Sequence, residues 1–150
     1  MAETRKNAKT AADTAPVDTW VQASVPYGSL REAEVATGRL QLAPDIIDDL
    51  KARGFTSDEL YRIVAPRRTL ARRKERNENL TVAESDRVLR LERISEMADR
   101  VFGSHEKAHR WLRSEIIALD GARPIDLLET ETGAHIVDQE LIKIDYGMLA

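Results

Sequence analysis

The sequence predicts an all-α fold, and three observations carry that expectation. Apolar residues recur at three- and four-residue spacing, as in Val88, Leu91, Ile94, Ala98 and Val101, which places them on one helix face. Two capping boxes, Thr56 with Glu59 and Thr81 with Glu84, mark helix starts. Glycines and prolines punctuate the periodic stretches, and no alternating run is long enough for a strand.

In chain order, residues 1–19 are rich in Ala, Thr and charge and are expected to form a disordered tail. They have no apolar stretch of the kind a signal peptide carries. Residues 20–43 hold Trp20, Val25, Tyr27, Leu30 and Val35 among Pro26, Gly28 and Gly38, which leaves room for one short helix near 29–37. Pro44 and Asp45 open a helix with Ile46, Ile47 and Leu50 inward, and Gly54 stops it. The first capping box follows, with Phe55 and Leu60 placed as a hydrophobic staple, and that helix runs to about Val64. Pro66 restarts the chain into Arg67–Arg76, anchored by Leu70. Three short helices joined tightly make a helix-turn-helix unit, expected within residues 20–80.

The second capping box opens the longest helix, 82–102. Gly103 ends it, and Ser104 caps a helix that should bury Ala108, Trp111 and Leu112. After Gly121, Pro124 starts a short helix through Ile125, Leu127 and Leu128. Gly133 separates it from a last helix with Ala134, Val137, Leu141 and Ile144 on one face, and His135 falls near that helix's start. Residues 81–150 thus read as a second small helical domain.

Composition narrows the function. With 5% aromatic residues in 150, the core must be built from Leu, Ile, Val and Ala, which suits small helical units better than an enzyme with a large pocket. The absence of cysteine removes disulfides, thiolate metal sites and thiol nucleophiles, and fits a reducing cytoplasmic location. No apolar run reaches the length of a membrane span. The net charge of −3 is unevenly spread. Residues 1–50 carry 5 basic and 8 acidic side chains, 51–80 carry 9 and 4, and 81–150 carry 9 and 14. A basic segment between two acidic ones implies separate surfaces with separate partners.

The basic charge is concentrated on helix 67–76. At 100° per residue Arg68, Arg72 and Arg76 form a stripe, flanked by Arg67, Arg73 and Lys74, while Leu70 points toward the bundle. As the third helix of a helix-turn-helix unit it is expected to enter the major groove of DNA. There guanidinium groups can donate to guanine, or contact phosphate without reading sequence. The expected DNA-contacting residues are Arg67, Arg68, Thr69, Arg72, Arg73, Lys74 and Arg76.

A second motif points elsewhere. His105-Glu106-Lys107-Ala108-His109 fits the H-E-x-x-H zinc-hydrolase pattern, in which two imidazoles share a metal and the glutamate polarises its water. Glu129 or Glu131 could add a third ligand. Against this, only three positions are fixed, and Leu112 and Glu115 stand where the longer motif needs Gly and His. His105 also falls at the first, solvent-facing turn of its helix. No phosphate-binding glycine loop or nucleophile elbow accompanies it, so neither a catalytic constellation, a metal nor a cofactor is expected.

Two stretches resemble a known family. Gly54-Phe55-Thr56-Ser57-Asp58-Glu59-Leu60, then Arg67-Arg68-Thr69-Leu70-Ala71-Arg72-Arg73, then Leu80-Thr81 and Glu84-Ser85-Asp86-Arg87 resemble the Xre-like helix-turn-helix of certain antitoxins. Val101-Phe102-Gly103, Glu106, Ala108, Trp111-Leu112, Leu119, Gly121, Pro124-Ile125-Asp126-Leu127-Leu128, Glu131, Gly133 and Val137 resemble the toxin-binding domain of the Xre/MbcA/ParS antitoxins. The chain departs from that pattern at Ser114-Glu115-Ile116, where a proline turn is expected, and at Asp120, where a second glycine is usual. The resemblance implies a homodimer that docks helix 67–76 of two protomers on a palindromic operator and represses its own promoter. It also implies a RES-domain toxin as partner, an enzyme attacking NAD⁺, with ADP-ribosylating toxins in the wider group. The toxin's NAD⁺ entrance would be covered by the last helix and tail, through Leu141, Lys143, Asp145, Tyr146, Gly147, Met148, Leu149 and Ala150.

Overall fold

Thr56 and Thr81 each accept a hydrogen bond at 3.2 Å from the backbone N–H three residues on, and Glu59 and Glu84 accept in return at 2.8 Å. Both capping boxes therefore form in the computed structural model, which describes residues 30–147. The expected tail, 1–19, lies outside the described residues, as do Trp20, Val25 and Tyr27.

The elements are α1 (Leu30–Ala36), α2 (Ile46–Ala52), α3 (Ser57–Ile63), α4 (Arg67–Arg76) and α5 (Val82–Phe102), then α6 (His105–Leu112), a 3₁₀ turn (Ile117–Leu119), α7 (Pro124–Leu127) and α8 (Glu131–Asp145). No strand occurs among the described residues, and the all-α expectation holds. α5 is the central element and packs against α1, α2, α6 and α8. Its Val88, Leu91, Ile94 and Ala98 are fully buried, as their spacing predicted. A single apolar cluster runs from Val35, Leu50, Leu60 and Leu80 through α5 to Leu112, Leu128, Val137 and Leu141. Each such side chain contributes about 1.5–3 kcal/mol relative to exposure, so both halves of the chain draw stability from one core.

Three expectations change. Gly133 does not separate two helices; it lies inside α8, which Thr130 caps by accepting from the Gly133 N–H at 3.0 Å. A Cβ there would sit 1.9 Å from the Leu127 carbonyl oxygen, so the glycine lets α8 press against the end of α7. His135 consequently sits beyond the first turn of α8, exposed. Trp111 and Leu127, expected in the core, are half-buried at its edge, with Trp111 5.5 Å from the Phe102 ring.

Candidate functional site

α3 and α4 are joined by Val64, Ala65 and Pro66. Val64 and Ala65 are buried, and Arg87 of α5 donates to the Val64 carbonyl at 2.9 Å, which pins the turn. Leu70, at 6% exposure, seats α4 on the core and fixes which face looks outward. On that face Arg67, Arg68 and Arg72 are exposed and make no ion pair with the described residues, while Thr69 is half-buried beside them. Arg76 is exposed and reaches Glu78 only at 3.8 Å. Three guanidinium groups on this face are therefore unpaired among the described residues, and a fourth, Arg76, is only loosely held.

Two of the expected DNA contacts are engaged within the chain. Arg73 lies against Glu84, at 2.7 Å from Nε and 3.2 Å from Nη2, and donates to the Asn79 carbonyl at 3.2 Å. Both Arg73 and Glu84 side chains are largely buried, at 12% and 10% exposure, so Arg73 ties α4 to the capping box of α5. Lys74 pairs with Asp48 of α2 and holds that carboxyl below its usual range. Arg73, expected at the groove, is thus held within the chain, because helical spacing places it toward Glu84 as α5 begins.

At the other end, Leu141 is fully buried and holds α8 to the core, so it presents no surface to a partner. Lys143 is exposed and pairs with Glu140 at 3.2 Å, and Asp145 lies 3.6 Å from Arg100 of α5. Tyr146 is 75% exposed, and Gly147 ends the helix at φ +67°. Asp145 and Tyr146 line a cleft of about 610 Å³ between α5 and α8, floored by Met97 and Ile142. Met148, Leu149 and Ala150 lie outside the described residues.

The H-E-x-x-H motif brings its two histidines together, but its glutamate is engaged elsewhere. Glu106 is exposed and accepts from Arg110 at 2.8 Å, whereas His109 is 6% exposed beneath the α2–α3 turn. His105 lies 3.1 Å from both Asp99 oxygens, which orients it through Nδ1. Among the described residues no three His, Asp or Glu side chains converge as metal donors.

Sequence reasoning missed the polar seam joining the two halves. Arg113, at the end of α6, donates to Glu59 at 2.8 and 3.0 Å and to the Gly54 carbonyl at 2.7 Å. Arg62 of α3 reaches Asp126 at 2.7 Å and Glu129 at 2.8 Å. Arg90, buried in α5, donates to Glu131 at 2.8 Å and to the Leu128 carbonyl at 3.3 Å. Nothing local in the sequence flags these pairs; they join residues far apart in the chain.

A tightly turned helix pair, an outward arginine face on its second helix and a further helical unit on the same core define a helix-turn-helix protein with a second unit built onto it. Residues 38–93 match the family model of the antitoxin Xre-like helix-turn-helix domain, and residues 97–147 match the antitoxin Xre/MbcA/ParS C-terminal toxin-binding domain. The two matches meet inside α5. Similar proteins include an antitoxin Xre of Yersinia enterocolitica, 30% identical over 115 residues, covering 75% of this chain and 78% of that one. An antitoxin Xre of Pseudomonas putida is 42% identical over 84 residues, 56% of this chain and 53% of that protein, so the match spans about half of that relative's length. A Prs ADP-ribosylating antitoxin of Sphingobium sp. is 33% identical over 91 residues, 55% and 57% of the two chains. The chain belongs to the Xre antitoxin family. No helix among its described residues is long and apolar enough to cross a membrane.

Proposed function

We propose that this chain is a cytoplasmic antitoxin that neutralises a RES-type, NAD⁺-degrading toxin and represses its own operon as a DNA-bound homodimer. The observation that carries the DNA half is the α4 face, where Arg67, Arg68 and Arg72 stand exposed with no ion pair to the described residues. A cationic face left unneutralised on a protein of net charge −3 favours a polyanionic partner at that surface. Arg67, Arg68, Thr69, Arg72 and Arg76 are the proposed contacts. Lys74 joins them only by leaving Asp48, and Arg73 acts from behind by holding α4 in place.

The toxin half rests on the toxin-binding domain matched over 97–147. The end of α8, with Lys143 and Asp145, and the tail Tyr146 to Ala150 form the proposed cover over the toxin's NAD⁺ entrance. The proposed division of labour is a helix-turn-helix unit through residue 80 and a toxin-binding unit after it, preceded by the segment 1–19. No catalytic residue, metal or cofactor is assigned to either unit.

Co-expression with the products of the two flanking reading frames, followed by native mass spectrometry, tests the reading. A complex with a neighbour that consumes NAD⁺ and poisons cells when expressed alone is the expected outcome. A bare dimer beside harmless neighbours would leave a stand-alone transcriptional regulator.

A further inference from the structure

Where the α2–α3 turn meets α6 it rests on two imidazoles. The His109 ring lies 4.2 Å from that of His105 and meets Phe55 edge-on at 5.1 Å. Both ring nitrogens of His109 are shut off from water and reach no hydrogen-bond partner among the described residues. The backbone of the turn touches the pair: a Cβ on Gly54 would lie 3.0 Å from His105 Nε2 and 3.4 Å from His109 Cε1. Gly54 also sits at φ +96°, where a side chain would be strained, and a Cβ there would press on the two imidazoles. Arg113 clamps the same turn through the Gly54 carbonyl and Glu59.

We propose that this imidazole pair is an acid-sensitive latch between the helix-turn-helix unit and the second helical unit. Neutral His109 lets the turn close on α6, and its protonation opens that seam.

The surroundings favour opening over a buried imidazolium. An imidazolium carries two N–H donors, and both would need acceptors. The charged groups facing His109 are His105 and Arg113 from α6, Asp99 from α5 and Glu59 from α3; the turn itself offers the Phe55 ring and the Gly54 backbone. Asp99 is held by His105, and Glu59 and the Gly54 carbonyl by Arg113, so the nearby acceptors are already engaged. Burial, then His105 and Arg113, push His109 below its ordinary value of 6.5, with Asp99 and Glu59 opposing. The sign follows: an unfolded or opened chain takes up this proton near pH 6.5 while the closed form resists it. Stability is therefore retained above that pH and falls as pH drops toward the lower, closed-state value.

The test uses the full chain. Imidazole Cε1 resonances are followed by NMR from about pH 8 to about pH 5, and urea unfolding is measured near pH 7.5 and pH 5.5 in the wild type, His109→Phe and His135→Gln. His109 is expected to titrate below its ordinary value, with its protonation coinciding with shifts in the Gly54 and Phe55 amides. Between the two pH values, the folding equilibrium constant of the wild type should fall up to about tenfold more than that of His109→Phe. His135→Gln, on the exposed face of α8, should leave the Gly54 and Phe55 amide shifts as in the wild type. Titration of His109 at its ordinary value with unmoved Gly54 and Phe55 amides would overturn the latch, as would equal pH dependence in the wild type and His109→Phe. If His109→Phe does not fold, the wild-type NMR titration decides alone.

Discussion

Arg113 donates to both carboxylate oxygens of Glu59, at 2.8 and 3.0 Å, while Glu59 also closes the capping box of α3 by accepting from the Thr56 N–H. One carboxylate thus starts the first helix of the helix-turn-helix pair and binds that pair to the second helical unit. Burial pushes the Glu59 carboxyl up, but Arg113 and Thr56 together outweigh it and hold it below the ordinary 4.5. A lowered carboxyl contributes stability that is present above the unfolded value and lost as pH falls through the folded one. Glu59→Gln is expected to destabilise by about 1.5–3 kcal/mol, the range for hydrogen bonds to charged groups. It should also flatten the acid limb of the stability profile. Urea unfolding between neutral and acid pH measures both effects, and an unchanged acid limb would mean that Glu59 does not carry it.

Adjacent arginines on α4 should separate cleanly. Arg72 is exposed and unpaired among the described residues, so Arg72→Ala should leave urea unfolding within about 0.5 kcal/mol of wild type. It should also weaken operator binding and, where it meets phosphate, lower the salt slope by about one. Arg73 is largely buried against Glu84, and its removal strands that carboxylate. Arg73→Ala should therefore destabilise by about 3–5 kcal/mol if the pair behaves as fully buried, and by less in proportion to its residual exposure. Fluorescence anisotropy on operator DNA at several salt concentrations, beside the unfolding curves, distinguishes the two residues. Equal effects of both variants on stability would show that the Arg73–Glu84 pair does not hold α4.

Much of the fold was legible because it is locally encoded. The capping boxes at Thr56 and Thr81, the Leu70 anchor and the α5 stripe depend on neighbours within a turn or two, and spacing alone identifies them. The candidate site was legible only as a set of basic residues. Which of them stay free depends on where Asp48 and Glu84 arrive in three dimensions, 26 and 11 residues from Lys74 and Arg73. The same holds for Glu59 and Arg113, 54 residues apart, each of which reads as an ordinary solvated charge in one dimension. Gly133 misled for a different reason. A glycine signals a helix end by its conformational freedom, but here its missing side chain admits a backbone oxygen.

That close approach makes Gly133→Ala a strong test of the α7–α8 junction. A methyl group 1.9 Å from the Leu127 carbonyl cannot be relieved by a rotamer change, because the obstacle is backbone. The expected loss is about 1–3 kcal/mol or more, with α7 displaced from α8. Thermal unfolding gives the magnitude, and hydrogen exchange should show lost protection beginning around Leu128 and Thr130. A variant as stable as wild type would mean that the two helices have room the structure does not show.

Leu141, inside α8, and Tyr146, just past its end, should fail in opposite ways. Leu141 is fully buried, and Leu141→Ala leaves a cavity in the cluster formed with Leu112, Leu128 and Val137, for an expected loss of about 2–5 kcal/mol. Any loss of toxin binding in that variant should track the unfolded fraction and recover with stabilising osmolyte. Tyr146 is 75% exposed beside the α5–α8 cleft, so Tyr146→Ala should leave stability within about 0.5 kcal/mol of wild type. An exposed tyrosine at a cleft is a common anchor for a protein partner, and truncating such a residue weakens binding by about 2 kcal/mol or more when it is a hot spot. Unfolding curves and calorimetric titration against the purified partner toxin separate the two results. If Tyr146→Ala binds as tightly as wild type, the proposed contact at the end of α8 is wrong, because the fold that presents it would be intact.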